Sequence, residues 1–139
     1  MEFLVIDDDK TFRDATCFLL EDAGHKAKGA ESGALGLNWL NNSQWEAVFL
    51  DVNLGPEDGL AILAEVLRQH PDLPVIMLTA DGNVKVAVEA MRRGAFDFLE
   101  KPFQREQFTA VLNRLQKRSG MGGVAGGRAA RIPIEPFVS

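Results

Sequence analysis

Three carboxylates, a hydroxyl and an ammonium follow apolar runs in this chain. Asp7 and Asp8 close the run at 3–6, Asp51 closes the run at 47–50, Thr79 follows 75–78, and Lys101 follows 96–99. An ionised carboxylate beside a buried hydrophobic run is costly unless a cation answers it. Three carboxylates brought together raise one another's pKa unless a divalent ion neutralises them, and an all-oxygen set with few protein ligands suits Mg²⁺. Lys101 then supplies a point charge for phosphoryl oxygens and Thr79 a hydroxyl donor. The chemistry that uses all five is phosphoryl transfer to Asp51 as a carboxylate nucleophile, a reaction in which catalysis is mostly positioning and charge neutralisation.

Taken singly, each residue has a plainer reading: a strand-end Asp is commonly a cap or turn residue, a Thr after a strand a cap, and a Lys-Pro pair a loop. Their shared position after the strands argues for one site, because ligands of open α/β sheets bind outside the carboxyl ends of the strands. Asp9 reads as a helix cap, Cys17 and Met91 as core, and Trp39 and Trp45 as packing residues.

Positioning those groups is the task of five short apolar runs, 3–6, 27–30, 47–50, 75–78 and 96–99, which alternate with segments of helical period. That alternation predicts βαβ units and an α/β fold with a doubly wound parallel sheet covered on both faces. Lys26 and Lys28 interrupt the second run, as suits an edge strand. Apolar residues predict the inward faces of the helices: Phe12, Ala15, Leu19 and Ala23 in the first, Leu60, Leu63 and Leu67 in the third. Val84, Ala87, Val88 and Met91 mark the fourth, and Phe108, Val111, Leu112 and Leu115 the fifth. The second helix spans about 32–40. Asp9 and Ser32 stand where caps belong, and Gly24 and Gly94 where helices stop.

The chain's 139 residues suit one domain, and 46% hydrophobic with 25% charged residues is an ordinary globular composition. A net charge of −5 argues against direct nucleic-acid binding. The single Cys17 allows no internal disulfide, and no apolar run approaches the roughly 20 residues that span a bilayer. With no signal-peptide pattern at the start, the cytoplasm is the expected compartment. Residues 1–118 read as the domain. Residues 119–139 read as a Gly-rich linker or tail, in which 132–138 is either disordered or a docking peptide.

The motifs Val5-Ile-Asp-Asp8, Leu50-Asp51, Asp58-Gly59, Leu78-Thr-Ala80 and Lys101-Pro-Phe103 together resemble the CheY-like receiver domain of two-component response regulators, over residues 2–117. The stretch Gly94-Ala-Phe-Asp-Phe-Leu-Glu-Lys-Pro-Phe103 is most similar to receivers attached to sigma-54-dependent transcription activators. The resemblance implies a flavodoxin-like sheet of order 2-1-3-4-5 and a sensor histidine kinase as phosphodonor to Asp51. It also implies Mg²⁺ held directly by Asp8 and Asp51, through water by Asp7, and by the backbone carbonyl of Asn53. Thr79 and Lys101 would engage the phosphoryl oxygens, and the small Ala80 would admit the donor. Phe98 would turn inward with Thr79, remodelling the face of the fourth helix, fifth strand and fifth helix to control a partner, a homodimer or an attached output domain. Asn53 and Asp81 would tune hydrolysis of the acyl phosphate. Such a protein catalyses its own modification rather than acting on a separate substrate.

One departure from the family pattern stands out: Gly55-Pro56-Glu57 intervenes before Asp58-Gly59, and Gly55 predicts a more permissive loop. Two rival readings compete. Asp7-Asp-Asp9-Lys-Thr11 satisfies the Asp-x-Asp-x-Thr pattern of haloacid-dehalogenase-type phosphatases, with Asp7 as nucleophile and Asp9 as acid/base; that reading lacks a later acidic pair beyond Asp97 and Glu100 and leaves Asp51 idle. A pure interaction module would tolerate loss of Asp51 or Lys101, and neither is lost.

Overall fold

The computed structural model describes residues 2–80 and 83–122, with side chains through residue 118. The chain divides into two compact units, Met1–Pro102 and Phe103–Ser139. The first unit holds the sheet: β1 (Glu2–Ile6), β2 (Lys26–Ala30), β3 (Ala47–Asp51), β6 (Val75–Ala80) and β7 (Asp97–Lys101) pair in the order β2-β1-β3-β6-β7, all parallel. Counting only these five, the order is the expected flavodoxin-like 2-1-3-4-5. Helices α1 (Lys10–Asp22), α2 (Gly33–Leu40), α3 (Gly59–Gln69) and α4 (Val84–Arg92) connect them. Two short strands, β4 (Asn53–Leu54) and β5 (Glu57–Asp58), form an antiparallel hairpin after β3. The periodicity reading did not contain it, because two-residue strands carry no periodic signal.

The central strands are buried on both faces, which is why they read as continuous apolar runs rather than alternating ones. Leu4, Ile6, Val48, Leu50, Val75 and Met77 join Leu40 of α2, Leu63 and Val66 of α3 and Ala90 of α4 in one core. The residues between them, Phe3, Val5, Phe49, Ile76 and Leu78, are equally buried and by the two-residue period line the opposite face. The edge strand β2 exposes Lys26 and Lys28, and Lys28 Nζ lies 4.6 Å from the centre of the Trp39 ring. Trp39 and Trp45 pack against the core as expected, joined by a bond of 3.1 Å from Trp45 Nε1 to the Trp39 carbonyl.

Local chemistry ends the helices where the sequence predicts. Asp9 Oδ1 accepts from the Phe12 amide and Ser32 Oγ from the Leu35 amide, at 3.2 and 3.1 Å, while Gly24 and Gly94 have φ of 95° and 109°. The expected inward faces of two helices are corrected. In α1 the buried residues are Thr16 and Leu20, and Ala15 and Ala23 are exposed. In α4 the buried residues are Ala87 and Ala90, whereas Val84, Val88 and Met91 are 59%, 51% and 40% exposed. Met91 is therefore not core: the two alanines let α4 approach β6 and β7 closely, and that rolls the bulkier stripe outward. Cys17 is half-buried, and burial pushes its thiol up to about 11.

The second unit contains α5 (Arg105–Gly122), where Phe108, Val111, Leu112 and Leu115 are buried as expected and the Phe103 and Phe108 rings stack at 5.7 Å. The helix continues past Arg118, so residues 119–122 belong to it rather than to the expected linker, and 123–139 lie outside the described residues. Among the described residues no helix is long and apolar enough to cross a membrane.

Candidate functional site

Strand register brings the candidate residues together. Ile6 on β1 pairs with Leu50 on β3, Asp51 with Leu78 on β6, and Ala80 with Lys101 on β7. Asp7, Asp51, Thr79 and Lys101 therefore reach the same end of four adjacent strands, although Asp51, Thr79 and Lys101 are strand residues rather than positions just beyond. The strands extend further than the apolar runs because the ladder is a backbone property: the Val52 amide still bonds to Leu78 O at 2.9 Å.

The two buried carboxylates are held by nearby backbone amides. Asp7 Oδ1 accepts from the Asp9 amide and Asp51 Oδ1 from the Asn53 amide, both at 3.0 Å, the Asx-turn arrangement that aims a short acidic side chain. Arg13 Nη1 donates to the Asp7 carbonyl at 2.7 Å and braces the loop from α1. Asp7 and Asp51 are buried and Asp8 is exposed, and one oxygen from each of the three lies within 4.8 Å of the others.

Lys101 answers that negative charge. Its Nζ donates to Asp51 Oδ2 at 3.0 Å and stands 2.9 Å from Asp7 Oδ2, an ion pair whose angles fall outside hydrogen-bond geometry. The ammonium also sits 4.3 Å from the centre of the Phe12 ring, within cation–π range. Burial alone pulls the Lys101 pKa down, and attraction to Asp7 and Asp51 outweighs it, leaving a net rise. Burial pushes Asp51 up to about 6, against the Asn53 amide and the Lys101 ammonium, with Asp7 adding to the rise. Asp7 Oδ2 and Thr79 Oγ1 are both buried and make no hydrogen bond among the described residues. Buried oxygens of that kind mark a place where a ligand completes the bonding. With three carboxylates facing them, the donor set fits a hard, oxygen-seeking divalent cation.

The remaining expected residues are placed as follows. Asn53 is exposed on β4, Ala80 is exposed at the end of β6, and Phe98 on β7 is 37% exposed. Asp81 lies outside the described residues. Asp9, the acid/base of the phosphatase reading, is instead occupied as the cap of α1. Sequence reasoning missed three contributors. Helical period marks Phe12 only as a helix-face residue, and Arg13 and Glu57 act through partners that no local pattern announces.

Comparison with known proteins agrees with this geometry. Residues 3–113 match the family described as the response regulator receiver domain. The nitrogen assimilation regulatory protein NtrX of Azorhizobium caulinodans is 34% identical over 115 residues, covering 81% of this chain and 25% of the relative. The transcriptional regulatory protein FixJ of Bradyrhizobium diazoefficiens is 38% identical over 108 residues, covering 78% of this chain and 53% of the relative. The chain thus spans about a quarter to a half of the length of these curated relatives. Among solved structures, the receiver domain of NtrX from Brucella abortus superposes with a TM-score of 0.80 at 41% identity, covering 83% of this chain and 98% of that one.

Proposed function

Because this chain belongs to the response regulator receiver domain family, whose members are phosphoryl-accepting switches served by histidine kinases, we propose that Asp51 is its phosphoacceptor and a sensor histidine kinase its donor. The observation that carries the proposal is the convergence on Lys101: one ammonium within 2.9 and 3.0 Å of carboxylates that lie 44 positions apart in the chain, 51 − 7. In the transfer, a carboxylate oxygen of Asp51 attacks phosphorus as the phosphorus–nitrogen bond of the phosphohistidine breaks, and the imidazole leaves with that electron pair. Lys101 moves from the carboxylates to the phosphoryl oxygens it can neutralise, and the Thr79 hydroxyl, now without an acceptor, donates to one of them. Ala80, small and exposed, leaves room for the incoming imidazole.

Asp7, Asp8 and Asp51, with the Asn53 carbonyl, would hold Mg²⁺, which when bound would neutralise negative charge that develops in the transfer. The donor set supports this, since the three carboxylates already lie within one ion's reach. Asp81 and Asn53 would govern access of the hydrolytic water.

The switch is a local charge event with a packing readout. Phosphorylation engages Thr79 and frees the space that the Phe98 ring then enters. Four of the five exposed large apolar side chains among the described residues, Val84, Val88 and Met91 on α4 and Phe98 on β7, lie on elements next to that change. A surface of that kind serves a partner, a second copy or an output domain, and transcription regulation in the cytoplasm is the role this reading favours.

Incubation with acetyl phosphate and Mg²⁺ tests the assignment. The chain is expected to gain one phosphoryl group, with the labelled peptide containing Asp51. A label on Asp7 would transfer the case to the phosphatase reading, and no label at all would leave a receiver fold working as an interaction module.

A further inference from the structure

The departure at Gly55-Pro56-Glu57 predicts a loose loop beside the phosphoacceptor, and the structure holds that loop in place by an unusual contact. Glu57 Oε1 accepts from the Gly33 amide at 2.7 Å and Oε2 from the Ala34 amide at 3.1 Å. Both oxygens of one carboxylate are thereby seated on the first turn of α2, where unsatisfied amides and the helix dipole favour a negative charge. Since Ser32 Oγ takes the Leu35 amide, the first three amides of α2 are all satisfied, two of them by a residue from another loop.

The same carboxylate is the outer anchor of a hairpin that cannot stand alone. Asn53 pairs with Asp58 and Leu54 with Glu57 across a turn at Gly55-Pro56, where Gly55 has φ 67°. Two residues a side are far too few for independent stability, so the anchors decide its position. They are Leu54 in the core, Asp58 Oδ1 on the Leu60 amide at 3.0 Å, the Asn53 amide on Asp51 Oδ1, and Glu57 on α2.

We propose that Glu57 is a positioning residue for the metal side of the site: by strapping the β4–β5 hairpin to α2 it holds Asn53, and so its carbonyl, beside the Asp7, Asp8 and Asp51 cluster. This inference rests on the magnesium reading given above and extends it to a residue that touches neither metal nor phosphoryl group. Outer partners of this kind set ligand orientation and with it affinity. Ser32 provides the control, because its hydroxyl accepts from the Leu35 amide within the same helix rather than from the hairpin.

The test is calorimetric titration of the full chain with MgCl₂, with no phosphodonor present, beside thermal melts of each variant. Glu57→Ala is expected to weaken Mg²⁺ binding roughly tenfold, the low end of what outer partners contribute, and Glu57→Gln, which keeps a neutral acceptor, is expected to weaken it less, by about threefold. Ser32→Ala is expected to lower the melting temperature by a similar amount and leave Mg²⁺ affinity unchanged. Equal affinity in wild type and both Glu57 variants overturns the strap and leaves the metal site standing. Equal weakening in Ser32→Ala and Glu57→Ala overturns it too, because Glu57 is then only a helix cap. A wild-type chain that binds no Mg²⁺ overturns the metal reading itself, and this inference with it. Should Glu57→Ala not fold, the Glu57→Gln comparison decides.

Discussion

An Asp51→Asn chain is expected to take up no phosphoryl group from acetyl phosphate and, in metal-free buffer above pH 6, to be more stable than wild type. The first half follows from chemistry: an amide oxygen is no nucleophile toward phosphorus under conditions where a carboxylate is. The second half follows from burial. Asp51 is 5% exposed and titrates at about 6 rather than 3.8, chiefly because desolvation disfavours its charged form. Between those two values the folded chain holds a proton that the unfolded chain has released. Stability therefore falls as pH rises through that window, and the full cost of the buried charge is present above it. That cost is on the order of 3 kcal/mol, and Asn avoids it while still offering Lys101 an oxygen. Urea unfolding in EDTA at pH 4, 5 and 7.5 should show the advantage of the variant growing with pH. Saturating Mg²⁺ should shrink it, since an ion that binds only the ionised native site stabilises wild type selectively. A wild-type chain that gains on the variant between pH 5 and 7.5 without metal would reverse the sign and remove the electrostatic account of the site.

Gly59→Ala is expected to cost about 3 kcal/mol or more, a drop in melting temperature of roughly 10 °C for a domain of this size, or to prevent folding. A Cβ at position 59 would sit 2.4 Å from the Val52 carbonyl oxygen, 2.5 Å from the Asp51 carbonyl oxygen and 2.5 Å from Val52 Cα. All three are backbone atoms, so no side chain can rotate away to make room. The Gly59 amide also bonds to that Val52 carbonyl at 2.9 Å, which pins the start of α3 against the end of β3. Relief requires moving either the helix start or the strand that carries Asp51. A variant that folds should therefore bind Mg²⁺ more weakly as well. Melts and titrations that match wild type would show that α3 does not press on the strand that carries Asp51.

Much of this site is legible in the chain itself, and the reason is physical. A hydrophobic run that ends on a carboxylate declares a buried strand and a charged terminus at once, so Asp7, Asp51 and the order of strands and helices are matters of local pattern. Caps are local too, since Asp9 and Ser32 act on amides three positions away. Expectations fail where a residue's role depends on how an element is rolled or on a partner far along the chain. Helical period marks Val84, Ala87, Val88 and Met91 as one apolar stripe on α4 but cannot tell that the helix rolls toward Ala87 and Ala90 and leaves the bulkier three outside. Nor does any local rule send Glu57 to amides 24 and 23 positions earlier, or bring Phe12 beneath Lys101.

Sequence by itself thus determined which polar groups end the strands and which elements carry them, because hydrophobic burial and backbone capping act over a few residues. Only the tertiary structure decided which oxygens share one ammonium, which helix braces the loop after Asp51 and which apolar face is left outside. Those outcomes depend on strand register and helix roll, which are set by close packing over the whole sheet.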